Sequence, residues 1–137
     1  MAYVSLDSDQ IKKAHKKHKY TKEQVLQLEQ CMDPKNGPLY FMKTFMKIQH
    51  PTKGEMPFKP FAYQERLIEA YNSHRFSISM LPRQTGKTTC ASGYLIWYAM
   101  FRPDSQILIA AHKYAGASDI MSRVRYAYEM LPSWIKA

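Results

Sequence analysis

The chain has 137 residues, 45% hydrophobic and 13% aromatic, which excludes a disordered polymer and leaves room for one domain, near the lower end for a complete α/β enzyme. The formal net charge of +9 favours a polyanionic partner, nucleic acid first and acidic protein second. Cys31 and Cys90 are the only cysteines and have no metal-ligand spacing, and no apolar run approaches the roughly 20 residues of a membrane span, so a disulfide framework, a zinc site and a bilayer partner are excluded.

Residues 1–20 form a basic N-terminal arm in which Lys12, Lys13, Lys16, Lys17 and Lys19 alternate with His15 and His18. Such a run fits a solvated face as well as contact with nucleic acid or a partner protein. Residues 21–75 read as a helical lead-in. Thr21 followed by Gln24 is a capping-box pattern, and Val25, Leu26, Leu28 and Met32 continue it as a helix that ends near Asp33-Pro34. Asn36-Gly37-Pro38 is a turn, and Leu39, Phe41, Met42, Phe45 and Met46 mark a second short helix. Four prolines or glycines between Ile48 and Pro60 forbid a helix there and predict an extended segment with a tight turn at Thr52-Lys53-Gly54. A third helix runs from Tyr63 to about Ser73.

Residues 76–137 read as an α/β unit of P-loop NTPase type, a βαβ core with an incomplete parallel sheet. Phe76, Ile78 and Met80 alternate with Ser77 and Ser79, the period of a strand, and Lys87 to Phe101 follows as a helix apolar around most of its circumference. The run Gln106 to Ala111 predicts a parallel strand covered on both faces, and Ala115 to Leu131 a last helix. Between the first strand and its helix stands LPRQTGKTT, the second half of G-x-x-x-x-G-K-[ST], with Leu81 where the pattern has its first glycine. In that motif, backbone N–H groups and the positive helix end hold phosphate, Gly86 admits the close approach, Lys87 reaches the β and γ phosphates and Thr88 offers its hydroxyl to Mg²⁺. The expected ATP-binding set in the loop is therefore Arg83, Gln84, Thr85, Gly86, Lys87, Thr88 and Thr89, the last chiefly structural. Arg83 and Lys87 are the catalytic candidates, because a guanidinium at Arg83 can stabilise charge on the terminal phosphate; an ordinary surface salt bridge is the alternative for Arg83.

With the loop in view, the chain resembles the large terminase subunit of tailed bacteriophages, the motor ATPase that drives DNA into a procapsid. The resemblance covers most of residues 21–137: CMDPKNGPLYFMKTFMKIQHPTKGEMPFKPFAYQERLI before the loop, the glycine-poor loop with Arg83, and ILIAAHKYAGAS after it. It implies that Tyr63 and Gln64 are the adenine-recognition pair, with Gln64 on the base edge. It also implies double-stranded DNA, the small terminase subunit, the portal protein and the remainder of the large terminase as partners, a homo-oligomeric motor, and the host cell cytoplasm as the compartment. His112 and Lys113, at the carboxyl end of the second strand, are candidates for coupling nucleotide state to DNA grip. A helicase-like translocase shares the P-loop and an upstream glutamine; a non-catalytic basic module docking through the arm is the third reading.

The acidic strand that a P-loop ATPase uses to hold Mg²⁺ and polarise water is not found in this sequence: Asp104, Asp119 and Glu129 follow Lys87, and none ends an apolar strand. Weak nucleotide binding and poor hydrolysis are the expectation for this chain alone, as a split-gene product or a portion of a full terminase. Trp134 and Ile135 are expected to pack against something beyond residue 137, and two strands too few to cover their helices predict an exposed apolar edge.

Overall fold

The computed structural model describes residues 19–50 and 52–136; Lys12 to Lys17 of the basic arm lie outside them. The elements are α1 (Lys22–Met32), α2 (Gly37–Phe45), β1 (Lys47–His50), β2 (Gly54–Pro57), α3 (Ala62–Ser73), α4 (Lys87–Phe101) and α5 (Tyr114–Glu129). The architecture is a small mixed arrangement of helices with a two-stranded antiparallel sheet.

The first helix begins where the capping box is closed in both directions. Thr21 Oγ1 accepts the Gln24 N–H at 3.2 Å, and Gln24 Oε1 accepts the Thr21 N–H at 3.0 Å, so two donors that the first turn cannot satisfy internally find partners. It stops at Asp33, whose Oδ1 accepts the N–H groups of Asn36 at 3.1 Å and Lys35 at 2.7 Å. Those bonds to the ionised form hold the Asp33 carboxyl below its ordinary range. Pro38 sits in the first turn of α2, where its missing N–H costs nothing.

The segment expected to be extended with a tight turn is a hairpin: β1 and β2 pair antiparallel, Ile48 opposite Met56, and the Phe58 N–H continues the ladder to the Met46 carbonyl at 2.9 Å. Pairing was illegible because KIQH and GEMP hold a single medium-sized apolar residue each, too little to show a period.

Helix α4 packs against α2, α3 and α5. Trp97, 1% exposed, donates its Nε1–H to the Cys31 carbonyl at 2.7 Å, tying α4 to the end of α1. Gly93 lets α2 come close, because a Cβ there would sit 2.5 Å from both Met42 Cε and Met46 Sδ. At the other side α3 is fastened to α4 by the Tyr94 hydroxyl, which donates to the Tyr71 carbonyl at 3.2 Å. Phe41, Met42, Ile68, Cys90 and Leu131 complete the buried centre. No helix among the described residues is long and apolar enough to cross a membrane.

Two expectations are corrected. The parallel strands over 76–80 and 106–111 do not form; among the described residues the hairpin is the sole sheet. A parallel strand exists only through the neighbour it bonds to and is stable when both faces are covered, and neither segment has such a neighbour. Ile107 and Ile109 do turn toward the helices, lining with Leu95, Ile96, Met121 and Val124 a cavity of about 440 Å³. Their neighbour Leu108 is 91% exposed, and Ile78 and Met80 are 95% and 94% exposed; the apolar edge expected from the sequence is present. The second correction concerns the last residues. Trp134 packs edge-on against Phe45, ring centroids 5.5 Å apart, and Ile135 is buried, so both belong to this chain's own core.

Candidate functional site

The chain between Leu81 and Gly86 turns sharply into α4. Gln84 and Gly86 have φ of 61° and 75°, and Gly86 is the residue that caps α4. Left-handed residues separated by an ordinary one are a way of turning successive N–H groups toward one concave side. Glycine takes this conformation freely, whereas Gln84 holds it at a cost of roughly 1 kcal/mol or more. Thr85 stiffens the turn by donating its hydroxyl to the Pro82 carbonyl at 3.0 Å.

The N-terminal end of α4 lacks a side-chain cap. Among the described residues, the N–H groups of Thr85, Gly86, Lys87, Thr88 and Thr89 have no hydrogen-bond partner within the chain, the Cys90 N–H being the first to find one, on the Gly86 carbonyl at 2.9 Å. Unsatisfied donors at the positive end of a helix dipole form an anion-binding concavity. Lys87 folds back over this turn, its Nζ donating to the carbonyls of Leu81 at 3.3 Å and Pro82 at 3.5 Å, so the ammonium is held beside the loop by weak bonds that a phosphate oxygen outcompetes.

Helix α3 meets the loop from below α4's first turn. The Tyr63 hydroxyl and Gln64 Nε2 both donate to the Thr85 carbonyl, at 2.8 Å and 3.0 Å. Gln64 is 6% exposed and its Oε1 accepts the Phe61 N–H at 2.9 Å, so each end of a buried amide has a partner. A Cβ on residue 86 would lie 2.5 Å from Gln64 Nε2; glycine is required there for space as well as for φ.

Thus the fold brings Tyr63, Gln64, Thr85, Gly86 and Lys87 together across α3, the loop and α4. Arg83 is exposed on the loop, and among the described residues it makes no ion pair. Thr88 is partly buried in the first turn of α4. Thr89 looks elsewhere, lining with Lys47, Ser92, Asp119 and Arg123 a cleft between β1, α4 and α5, consistent with a structural part. His112 and Lys113 are exposed before α5 and make no hydrogen bond or ion pair with the loop among the described residues. The sequence hid the Thr85 carbonyl, because a backbone acceptor has no residue signature and its partners stand 22 and 21 positions away.

Residues 78–137, which hold the loop, α4 and α5, match the protein family described as terminase large subunit, T4likevirus-type, N-terminal. This part of the chain is similar to that family. The matched stretch includes every loop residue from Leu81 to Thr89, while Tyr63 and Gln64 precede it and join it only through the fold. Among the described residues no group of three or more His, Cys, Asp or Glu side chains is arranged to hold a metal ion.

Proposed function

We propose that residues 81–89 are the phosphate-binding loop of a packaging motor, and that the chain is the ATP-binding portion of a phage terminase large subunit that powers translocation of viral DNA into the procapsid. The observation that carries the reading is the run of free N–H groups from Thr85 to Thr89 around a left-handed Gly86, with Lys87 folded beside it. On this reading the N–H groups and Lys87 bind the phosphates, and Arg83 is the cation free to approach the terminal one. The Thr88 hydroxyl, in the first turn of the helix, has no competing side-chain bond and would suit a hard cation such as Mg²⁺ as a ligand. A Mg²⁺ ion held there would supply charge neutralisation at the phosphates.

The same residues supply binding better than hydrolysis. Asp119 faces Arg123 at 3.5 Å on α5, and Asp104 and Glu129 lie beyond the far end of α4 and at the end of α5, so none of the three acids that follow Lys87 is placed to orient a water at the loop. Double-stranded DNA, the small terminase subunit, the portal and the remainder of the large subunit are the partners this reading entails, in a ring of copies. The excess of Lys and Arg, 20 against 11 Asp and Glu, supports contact with the DNA backbone.

The test is calorimetric titration with MgATP at low salt. The parent chain binds, and Lys87→Ala loses at least about tenfold in affinity, the scale of a charge-assisted bond. A folded parent that binds neither MgATP nor free ATP would overturn the assignment and leave a basic docking module as the better account.

A further inference from the structure

The geometry points to Tyr63 and Gln64 as positioning residues that fasten the phosphate loop in its anion-accepting shape through one carbonyl oxygen, that of Thr85, a role separate from any contact with the base. The inference rests on the phosphate-binding reading of residues 81–89.

Thr85 O accepts Tyr63 Oη at 2.8 Å and Gln64 Nε2 at 3.0 Å, which occupies both lone pairs of that carbonyl. The peptide bonds of the described chain are trans, and in a trans peptide the C=O and the following N–H point in opposite directions. Drawing the Thr85 carbonyl toward α3 therefore turns the Gly86 N–H away from α3 and leaves it free for an anion. The anchor is itself immobile. Gln64 Oε1 accepts the Phe61 N–H at 2.9 Å, and α3 is tied to α4 at its other end through Tyr94 and Tyr71. With one N–H spent on the Thr85 carbonyl and one oxygen lone pair on the Phe61 N–H, the amide is held at both ends, and one donor and one acceptor remain to it. Gly86 completes the joint, since only a residue without Cβ allows the loop to lie against Gln64 Nε2.

Inorganic tripolyphosphate separates the two roles because it carries the phosphates and no base. Titrated with Mg²⁺ tripolyphosphate and with MgATP, Gln64→Ala weakens both, tripolyphosphate by roughly three- to tenfold, the worth of one net hydrogen bond. Tyr63→Phe, which keeps the ring and removes one donor, weakens both by about threefold. Unchanged tripolyphosphate affinity with a selective loss of MgATP affinity overturns the inference and makes Gln64 a base contact. A ligand-free measurement stands beside it. Trypsin cuts after Arg83 and Lys87 faster in either variant than in the parent at unchanged circular dichroism; equal rates overturn the fastening. Should Gln64→Ala not fold, Tyr63→Phe decides alone. A parent that binds neither compound defeats the phosphate reading, and the trypsin comparison then judges the joint on its own.

Discussion

At Cys31 and Cys90 burial sets the chemistry. Desolvation pushes the Cys31 thiol from 9.0 up to about 12 and the Cys90 thiol up to about 11, since an ion without a partner is costly in an apolar site. Both thiols are neutral and enclosed near neutral pH, so a disulfide-exchange reagent at about pH 8 labels neither in the native chain and both in denaturant. Fast native labelling would contradict the packing around Trp97. The folded state favours the protonated thiol, so its contribution to stability is intact below about pH 9 and lost as pH rises through the folded values; thermal midpoints measured upward from neutral pH should fall beyond that point. At this scale the sequence showed what a motif names. Gly86, Lys87 and Thr88 stood out because the phosphate binding proposed for them demands those side chains at that spacing. The bonds of Tyr63 and Gln64 to Thr85 did not, because they depend on how α3 approaches the loop.

Among the elements, the helices were readable and the strands were not. Helix α4 matches its predicted span, Lys87–Phe101, and α1 starts and stops at its predicted signals, Thr21 and Asp33. Local chemistry decides such boundaries: a capping box, an Asx turn, a proline in the first turn. Thr21→Ala tests this, because the side chain is exposed and deletes only the cap. A loss of about 1 kcal/mol in urea unfolding is expected, with Gln24→Ala adding less than its own single effect since the two bonds are reciprocal. A strand is decided elsewhere. Phe76, Ile78 and Met80 have the right period, but period says only which side chains share a face and nothing of what lies alongside to take the backbone bonds. The hairpin of β1 and β2, with almost no period, forms because its own turn brings a partner.

For the molecule as a whole, the helices pack and the two unpaired segments stand out. Ile78, Met80 and Leu108 are each more than nine-tenths exposed, at 95%, 94% and 91%, and exposed apolar side chains of this size favour association in solution. Substituting Ile78→Thr together with Leu108→Thr removes no buried contact. The double variant should stay monomeric at concentrations where the parent self-associates, by light scattering, with the thermal midpoint unchanged within about 1–2 °C, the effect of a few tenths of a kcal/mol in a chain of this size. A lower midpoint would mean that those residues are packed in solution.

The bond between Trp97 and Cys31 has a mechanical side. An α-helix is stiff along its axis, and this one is pinned at Trp97 while its first turn carries Gly86 and Lys87. From Lys87 to the pin the rod measures about 15 Å at the usual rise per residue. A load applied at the loop would therefore pass along that arm to its joints at Tyr94 and Trp97, where the carbonyls of Tyr71 and Cys31 take it up.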